Sequence, residues 1–336
     1  LRPGTNVPLL NALACALLER GAEHLAFIDS RTEGFAEYAA FVREHTPEAT
    51  EAVTGVPARR VRDAAAILAR CGRPMFLHGL GVTEHLQGSE SVMLICNLAL
   101  LLGAVGREGV GVNPLRGQNN VQGAADMGCQ PDLLPGYRPV ADPDARAAFA
   151  SAWGRAVPAE PGRTLPRMWD AIGEGTIRGL LVFGEDVAQT DPEAARVRER
   201  LASLELLVVQ ELFLSETAKL AHVVLPAASV FEKDGTFTNG ERRIQRVRRV
   251  VPPPGEARAD WEILMALMAA TGWEQSYRHP EGIMDEIARV IPAFAGVNYA
   301  RLEGDGLQWP VPEVGHPGTP ILHTQGFPRG RAKFAR

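Results

Sequence analysis

Polar residues and glycines that could bind a ligand are concentrated in four turns, each of which follows a short apolar run. These turns are residues 79–84, 184–190, 210–217 and 226–239. If the runs are parallel strands, their carboxyl ends share an edge of a sheet, where backbone amides and helix N-termini face a bound ligand. Because backbone amides and helix N-termini attract anions, such an edge suits a large ligand that carries phosphate.

The common motifs for nucleotides and metals are absent from the sequence. There is no P-loop, and the GLGVTEH run at residues 79–85 lacks the third glycine of a dinucleotide fingerprint. Cys15, Cys71, Cys96 and Cys129 are isolated from one another, so no zinc or iron–sulfur site is predicted. Free thiols suit a reducing compartment, and we expect the protein to be cytoplasmic.

Size and composition bound the classes of protein that remain. The 336 residues suggest two domains or one large one, and 46% hydrophobic with 22% charged residues is typical of a globular chain. The formal charge of −5 gives no bulk attraction to nucleic acid or to an anionic membrane. The longest apolar run, residues 92–105, is too short to span a bilayer and contains Asn97. A start at Leu1 and a basic, Gly-containing end suggest a fragment of a longer protein.

The turns are positioned by strands that alternate with helices. Apolar runs predict strands at residues 74–78, 180–183, 206–209 and 222–225, and the chain beyond residue 292 is expected to be irregular. Helices are predicted from an Asn6 cap, after Pro57, over residues 89–105, near 141–157, from Asp191, over 215–220, and over 263–270 behind an Asp260 cap. This alternation predicts an α/β fold with parallel sheets and helices on both faces.

One long segment is far more specific than these patterns. Residues 111–128, GVNPLRGQNNVQGAADMG, followed by LPGY at 134–137, closely resemble a signature of formate dehydrogenase alpha subunits. Further segments resemble that family in the same order along the chain: LRPGTN, GLGVTEHLQG, FGEDVAQTDP, VVQELFLSETAKLAHVVLPAAS, FEKDGTFTNGERRIQRV and residues 255–261.

The resemblance implies the middle of a large subunit in which two molybdopterin guanine dinucleotides hold molybdenum or tungsten. Residues 1–118 would be the latter part of one Rossmann-like α/β domain and residues 119–300 a second. Residues 301–336 would lead irregularly toward a C-terminal barrel that has no match here. The family's iron–sulfur module and its Cys or selenocysteine at the metal also have no match, so the piece alone is expected to be inactive.

Within the signature, Arg116 is the expected catalytic residue. The resemblance places it beside the metal, where its planar guanidinium would grip the formate carboxylate with two hydrogen bonds. Without the motif, an arginine paired with a structural acid would be the simpler interpretation. Gln118 by resemblance reaches the pterin, since an amide both donates and accepts; the simpler interpretation is an ordinary turn residue.

Two turns of the first domain resemble family positions that contact the cofactor. Asn6 stands where the family usually has Asp, and Glu84 where relatives often have Gln. The glycines could equally be ordinary turn residues that permit positive φ. The predicted cofactor contacts in these turns are Gly4, Thr5, Asn6, Gly79, Leu80, Gly81 and Glu84.

The second domain contributes further predicted contacts with the dinucleotide. Asp186 would accept from guanine or ribose, or else cap a helix, and Lys233 would meet a phosphate or else be merely exposed. Asp260 both caps a predicted helix and matches the family residue that holds the guanine end. The predicted set is Gly184, Asp186, Thr190, Gln210, Glu211, Lys233 and Asp260.

Two further features of the sequence are not assigned a function. The arginine-rich run at residues 242–249 is expected to be a solvated strand or loop face, because no aromatic residues are interleaved with it. His78, His85 and His222 are expected to make local hydrogen bonds, and no metal site is predicted.

The resemblance therefore predicts part of an enzyme that oxidises formate to carbon dioxide. Its expected partners are the remaining domains of the same subunit and electron-transfer subunits, with an iron–sulfur cluster outside this segment. A related molybdenum reductase such as nitrate reductase is the rival enzyme, because the cofactor turns are shared.

Two rivals come from outside this enzyme class. One is a metal-free scaffold subunit of the same fold, as in respiratory NADH dehydrogenase, and the presence of Arg116 and Gln118 argues against it. The second is a plain nucleotide-binding module, which the absence of both common nucleotide motifs disfavours.

Overall fold

The computed structural model describes residues 1–336 as short helices and strands. The helices are α1 (Asn6–Leu18), α2 (Leu25–Arg31), α3 (Phe35–Arg43), α4 (Pro47–Thr54), α5 (Ala58–Arg70), α6 (Leu80–Thr83), α7 (Gly88–Leu101), α8 (Val121–Asp126), α9 (Pro143–Trp153), α10 (Leu165–Gly173), α11 (Val187–Thr190), α12 (Ala194–Ala202), α13 (Asp260–Ala270) and α14 (Pro280–Val290). The strands are β1 (Thr32–Glu33), β2 (Met75–His78), β3 (Gly111–Pro114), β4 (Leu133–Leu134), β5 (Arg138–Pro139), β6 (Gly179–Phe183), β7 (Leu206–Glu211), β8 (Val223–Pro226), β9 (Gly235–Thr238), β10 (Arg243–Val247), β11 (Leu307–Gln308) and β12 (Ala332–Lys333). Single turns of 3-10 helix lie at Ala218–Leu220, Val230–Glu232, Pro292–Phe294 and Ala300–Leu302.

The chain folds into two compact units. Unit 1 comprises Leu1–Gln118 and Thr319–Arg336, and unit 2 comprises Asn119–Gly318. The expected irregular connection, residues 301–336, is therefore divided between the two units.

Unit 1 is a group of helices packed against a two-stranded parallel sheet. Helix α1 has no charged residue, and most of its side chains are buried against α3, α4, α5 and α7. Leu17 is fully buried, and Tyr38 and Leu98 are 1% exposed. Strands β2 and β3 form the sheet, and Phe76 and Val112 pack against this core. Unit 1 is thus α/β, with its sheet outside a mainly helical core.

The C-terminal segment is held in unit 1 by side-chain contacts. The Phe334 ring stacks on Tyr38 with centroids 4.8 Å apart. The Asn97 side chain donates to the Ala335 carbonyl at 2.8 Å and accepts from its N–H at 3.1 Å. Strand β12 also pairs with β1 in parallel. These contacts explain why residues 319–336 do not form a separate connection.

Unit 2 contains a parallel sheet in the order β6-β7-β8. Val182, Leu207 and Val209 point to one face, where α10, α11 and α12 cover them. On the other face Leu181 and Phe183 are each 40% exposed. Helices therefore cover one face of this sheet fully, and the predicted α/β class with parallel sheets is confirmed.

A second sheet in unit 2 has the order β9-β10-β11 and is antiparallel. It contains part of the arginine-rich run, for which the residue pattern predicts a solvated face. That prediction is wrong for Arg246, whose side chain is only 10% exposed. Its guanidinium lies 3.8 Å from the Tyr299 ring centroid and 3.0 Å from a Glu303 carboxylate oxygen. Intramolecular ion pairs thus neutralise much of the run.

A buried carboxylate joins the start of unit 2 to its antiparallel sheet. Asp126 is fully buried, and its oxygens accept from the Tyr137 hydroxyl at 2.7 Å, the Gln122 amide at 2.8 Å and the Trp309 indole at 2.8 Å. The Arg242 guanidinium lies 5.5 Å from the Trp309 ring. Several charge-assisted hydrogen bonds compensate the cost of burying this charge.

Three local predictions are wrong. Strand β3 lies in a Gly/Pro/Asn-rich passage where no strand is predicted. The helix expected from Asp191 begins at Ala194, because the Asp191 carboxylate instead accepts from the Trp169 indole at 2.7 Å. Asn6 is the first residue of α1 rather than its cap, and Thr5 in the cap position makes no side-chain capping bond.

The N-terminal cap of α13 in unit 2 also differs from the predicted one. Asp260 is the first residue of α13, and Ala259 occupies the cap position. The Glu262 carboxylate accepts from the Ala259 N–H at 3.2 Å, which leaves the Asp260 carboxylate to different partners. No helix of either unit is long and apolar enough to cross a membrane.

The difference in burial between Leu206 and Leu207 on β7 gives a direct test of this sheet. Leu207 is fully buried and Leu206 is 50% exposed. Leu207→Ala should lower the free energy of unfolding of unit 2 by about 2–5 kcal/mol, because it leaves a cavity in the core. Leu206→Ala should cost less than about 1 kcal/mol. Urea unfolding followed by circular dichroism measures both, and equal losses would contradict the described faces.

Candidate functional site

The edge of the unit 1 sheet brings two predicted segments together. Strands β2 and β3 are parallel, with His78 opposite Pro114, and the Leu115 N–H donates to the His78 carbonyl at 2.7 Å. Gly79 and Arg116 therefore leave the sheet at the same edge. Arg116 is exposed there, beside the turn that follows β2.

The turn after β2 is a helical turn with an exposed outer surface. Leu80 is 51% exposed, and Glu84 is also exposed. Gly79 is extended, with φ −139°, and Gly81 lies within α6, so neither uses the positive φ that an ordinary turn glycine would adopt. A Cβ on Gly81 would meet no heavy atom within 4 Å. These glycines thus leave open space at the sheet edge.

The turn at residues 4–6 adjoins the same edge of the unit 1 sheet. Gly4 has φ +78°, which favours glycine, and the Thr5 hydroxyl donates to the Arg2 carbonyl at 2.6 Å. The Asn6 amide donates to the Gly81 carbonyl at 3.4 Å. The turns at residues 4–6 and 79–84, which are 75 positions apart at this bond, therefore meet.

Gln118 is a predicted site residue of unit 1 whose side chain no contact holds at this sheet edge. Its side chain is exposed, and no hydrogen bond fixes it. It lies two residues beyond Arg116 at the end of unit 1. Its contact with a pterin stays a prediction.

His78 is a site residue that the sequence pattern does not reveal. It is 8% exposed, and its Nδ1 is buried without a hydrogen-bond partner. Burial and the nearby Arg116 charge lower the pKa of His78 from its ordinary value, because both disfavour the charged imidazolium. The expectation of a local hydrogen bond is wrong for this nitrogen. It is confirmed for His85, which contacts the Gly81 carbonyl at 3.0 Å, and for His222, which accepts from the Leu207 N–H at 2.9 Å.

The edge of the unit 2 sheet collects the predicted residues of the second domain. Phe183 is opposite Gln210, and Glu211 is opposite Pro226. The Gly184 N–H donates to the Gln210 carbonyl at 2.8 Å. Gly184 has φ +61°, and a Cβ there would meet nothing within 4 Å. Gln210 and Glu211 are thus the last residues of β7 rather than the turn expected after it.

Asp186 is fixed by the segment after β7. Its Oδ1 accepts from the Thr217 N–H at 2.8 Å and from the Thr217 hydroxyl at 2.7 Å, and Oδ2 accepts from the Glu216 N–H at 3.4 Å. Burial opposes the charge, but these hydrogen bonds outweigh it and lower the pKa of Asp186. Asp186 occupies the position before α11 without a side-chain cap, so the capping role is wrong.

Gln210, Lys233 and Asp260 form one polar cluster. The Gln210 Nε2 donates to Asp260 Oδ1 at 2.6 Å, and the Lys233 ammonium pairs with Asp260 Oδ2. Gln210 is 2% exposed, and its Oε1 is buried without a partner. Because the carboxylate needs a donor, the amide nitrogen must face Asp260 and the amide oxygen must face away. The cluster therefore contains a buried acceptor that no donor of this chain satisfies.

The remaining two residues make local contacts outside this cluster. The Thr190 hydroxyl donates to Glu185 at 2.8 Å, and the Glu211 carboxylate accepts from the following N–H of Leu212 at 2.6 Å. No group of three or more His, Cys, Asp or Glu side chains is placed to hold a metal ion. The four cysteines are free thiols.

Comparison with known proteins gives a consistent set of matches. A family model described as molybdopterin oxidoreductase matches residues 1–270. The F420-dependent formate dehydrogenase subunit alpha of Methanocaldococcus jannaschii is 43% identical over 336 residues, which is 99% of this chain and 50% of that protein. Formate dehydrogenase H of Escherichia coli is 40% identical over 340 residues, covering 99% of this chain and 48% of that protein.

The solved structure of acetylene hydratase from Pelobacter acetylenicus shares the fold. Its TM-score is 0.71 at 14% identity, and the match covers 99% of this chain and 48% of that one. The chain thus spans about half the length of the relatives that it matches.

The proximity of Arg116 and His78 can be measured by titration. NMR of the His78 imidazole should give a pKa lower than that of an ordinary histidine, and Arg116→Gln should raise it, because the charge that disfavours imidazolium is removed. Arg59→Gln, which changes a side chain 91% exposed on α5, is the control and should leave the His78 pKa unchanged. An unaltered His78 pKa in Arg116→Gln would place the two groups apart.

Proposed function

This chain belongs to the molybdopterin oxidoreductase family, and on that premise we propose that it is the central part of a formate dehydrogenase catalytic subunit. Relatives 40–43% identical along nearly the whole chain are formate dehydrogenases. The whole polypeptide would oxidise formate to carbon dioxide, and the other half of its length would supply what this chain lacks.

The observation that carries the proposal is the position of Arg116. It follows β3 at the sheet edge where β2 ends in an open glycine turn. A guanidinium at such an edge suits a small carboxylate, because its two parallel N–H groups match both oxygens. Burial and the Arg116 charge lower the pKa of the nearby His78, which disfavours a second positive charge there.

Several features of the chain fit a guanylated pterin. Space is open beside Gly81 and Gly184, and Leu80 presents an apolar surface. The buried Gln210 Oε1 and His78 Nδ1 both lack partners, which is costly unless a ligand supplies them. We propose that the residues at 4–6 and 79–84, with Gln118, hold one part of the cofactor. Gly184, Asp186, Thr190, Gln210, Glu211, Lys233 and Asp260 would hold another part.

The chemistry assigned to this chain is orientation of the substrate. The bound molybdenum or tungsten cofactor would accept the two electrons that formate loses with its proton. Arg116 would hold the carboxylate so that the C–H bond points away from the guanidinium. Formate is an anion and carbon dioxide is neutral, so the ion pair with Arg116 is lost on oxidation. This difference favours substrate binding over product retention.

Further parts of the proposal concern partners and location. Electron-transfer subunits and an iron–sulfur cluster outside this chain would receive the electrons. The four free thiols suit a cytoplasmic protein. The guanine dinucleotide form of the cofactor is also part of the proposal.

Substitution of Arg116 in the full-length enzyme tests the carboxylate role. Arg116→Ala should lower kcat/KM for formate roughly 30-fold to several thousand-fold. This decrease corresponds to a loss of about 2–5 kcal/mol of transition-state stabilisation. Arg116→Lys should lose less, because it keeps the charge but not the two-point geometry. Arg59→Ala is the control. Turnover of Arg116→Ala within about twofold of the parent at low formate would reject the role.

Cofactor analysis of the full-length protein tests the wider assignment. Metal analysis should find molybdenum or tungsten, and oxidised extracts should show pterin fluorescence with two pterins per metal. Neither metal nor pterin would favour a scaffold subunit. Metal and pterin without formate oxidation, but with nitrate reduction, would favour the related reductase.

A further inference from the structure

One face of the unit 1 sheet, here called the outer face, is apolar and exposed. Met75 lies opposite Gly111 and Leu77 opposite Asn113, so these residues share that face. Leu115 continues β3 on the same face. The side chains of Met75, Leu77 and Leu115 are 49%, 55% and 56% exposed. None of the five residues is charged, so the outer face is an apolar patch in contact with water.

The opposite face of the same sheet is covered by the chain itself. Phe76 and Val112 lie opposite each other on it and pack against the helical core of unit 1. Helix α7 belongs to the connection from β2 to β3 and contacts both strands. A single crossover therefore covers one face of the sheet and leaves the outer face about half exposed.

A parallel sheet with one bare face is rare among folded proteins. Each crossover between parallel strands places a helix on one face, and parallel sheets are therefore usually covered on both faces. Sheets commonly have about 4–6 strands, whereas this one has two. Strand β2 contains no lysine or proline that would discourage pairing at its free edge. The unit 1 sheet thus has the features of part of a larger sheet.

The direction of the strands favours an occupant from the same polypeptide. A further parallel strand requires a crossover of about a dozen or more residues, usually helical, within one chain. On the proposed function, about half of the polypeptide lies outside this chain, because this chain covers 50% and 48% of the relatives. We infer that a crossover helix from that other half covers the outer face and that its strand extends the sheet. The inference, which rests on the proposed function, places this interface next to Arg116, because Leu115 directly precedes it in the chain.

Oxidation of methionine side chains by hydrogen peroxide tests the cover without any substitution. Met75 is exposed in this chain, whereas in the full-length protein it should be buried and oxidise at least about tenfold more slowly. Met93, which is 45% exposed on α7, is the internal reference. Mass spectrometry of the two peptides measures the ratio of Met75 to Met93 oxidation in both proteins. A ratio in the full-length protein equal to that in this chain would overturn the inference.

An aspartate on the outer face tests the same contact through stability. Leu77→Asp should change the melting temperature of this chain little, because the side chain is exposed to water. In the full-length protein it should lower the melting temperature by several degrees or prevent folding, because a carboxylate would be buried without a partner. Ile67→Asp, at a site 62% exposed on α5, is the matched control and should have little effect in either protein. A full-length Leu77→Asp variant as stable as the parent would contradict the cover.

A second copy of the protein is the alternative occupant of the outer face. Analytical ultracentrifugation of the full-length protein distinguishes it from a crossover helix of the same polypeptide. A dimer that Leu77→Asp converts to folded monomers with the melting temperature of the parent would assign the outer face to a second copy and reject the inference.

Failure of this inference is distinct from failure of the proposed function, because protection of Met75 requires neither metal nor formate turnover. A full-length protein that protects Met75 but contains no pterin would reject only the proposed function. A full-length protein that oxidises formate while Met75 stays as reactive as in this chain would reject only the cover.

Discussion

The arrangement of both candidate edges depends on parallel strand pairing. In unit 1 the pairing of residues 75–78 with 111–114 fixes where β3 ends relative to β2, and the Leu115 N–H continues it with a bond to the His78 carbonyl at 2.7 Å. A shift of one residue in this register would turn the side chains of β3 to the opposite face and move Arg116 along the edge. In unit 2 the bond from Gly184 to the Gln210 carbonyl has the same role. Side-chain chemistry at each edge is therefore set by backbone register.

Local sequence patterns are sufficient to predict much of this fold. The apolar runs at β2, β6, β7 and β8 are strands, and β6 pairs with β7 in parallel across the helices α11 and α12. Strand β8 pairs with β7 in parallel although only a single turn of 3-10 helix lies between them. Strand β3 escapes prediction because its residues, GVNP, have little strand propensity, and pairing with β2 stabilises it. The return of residues 319–336 to unit 1 also has no local signal. It depends on contacts such as Phe334 on Tyr38, almost 300 positions away in the chain.

The candidate site residues also divide into those that the sequence predicts and those that depend on tertiary contacts. Resemblance to family segments predicts Arg116 and Asp260, and turn position predicts Gly184. Which side chains share a hydrogen bond cannot be read from the chain, because the Gln210–Asp260 bond joins residues 50 positions apart. A local bond is expected for His78 because strand-end histidines usually find one. Its Nδ1 is instead buried without a partner, which is a result of tertiary packing that no local pattern indicates.

The two carboxylates of unit 2 differ in what they leave for a ligand. Asp186 Oδ1 is occupied by Thr217, while Oδ2 has only a 3.4 Å contact and keeps acceptor capacity. Asp260 has a donor on each oxygen, from Gln210 and Lys233. In the cluster of Gln210, Lys233 and Asp260, the acceptor without a partner is therefore the neutral Gln210 Oε1. This oxygen can be satisfied by an N–H or O–H donor of a ligand.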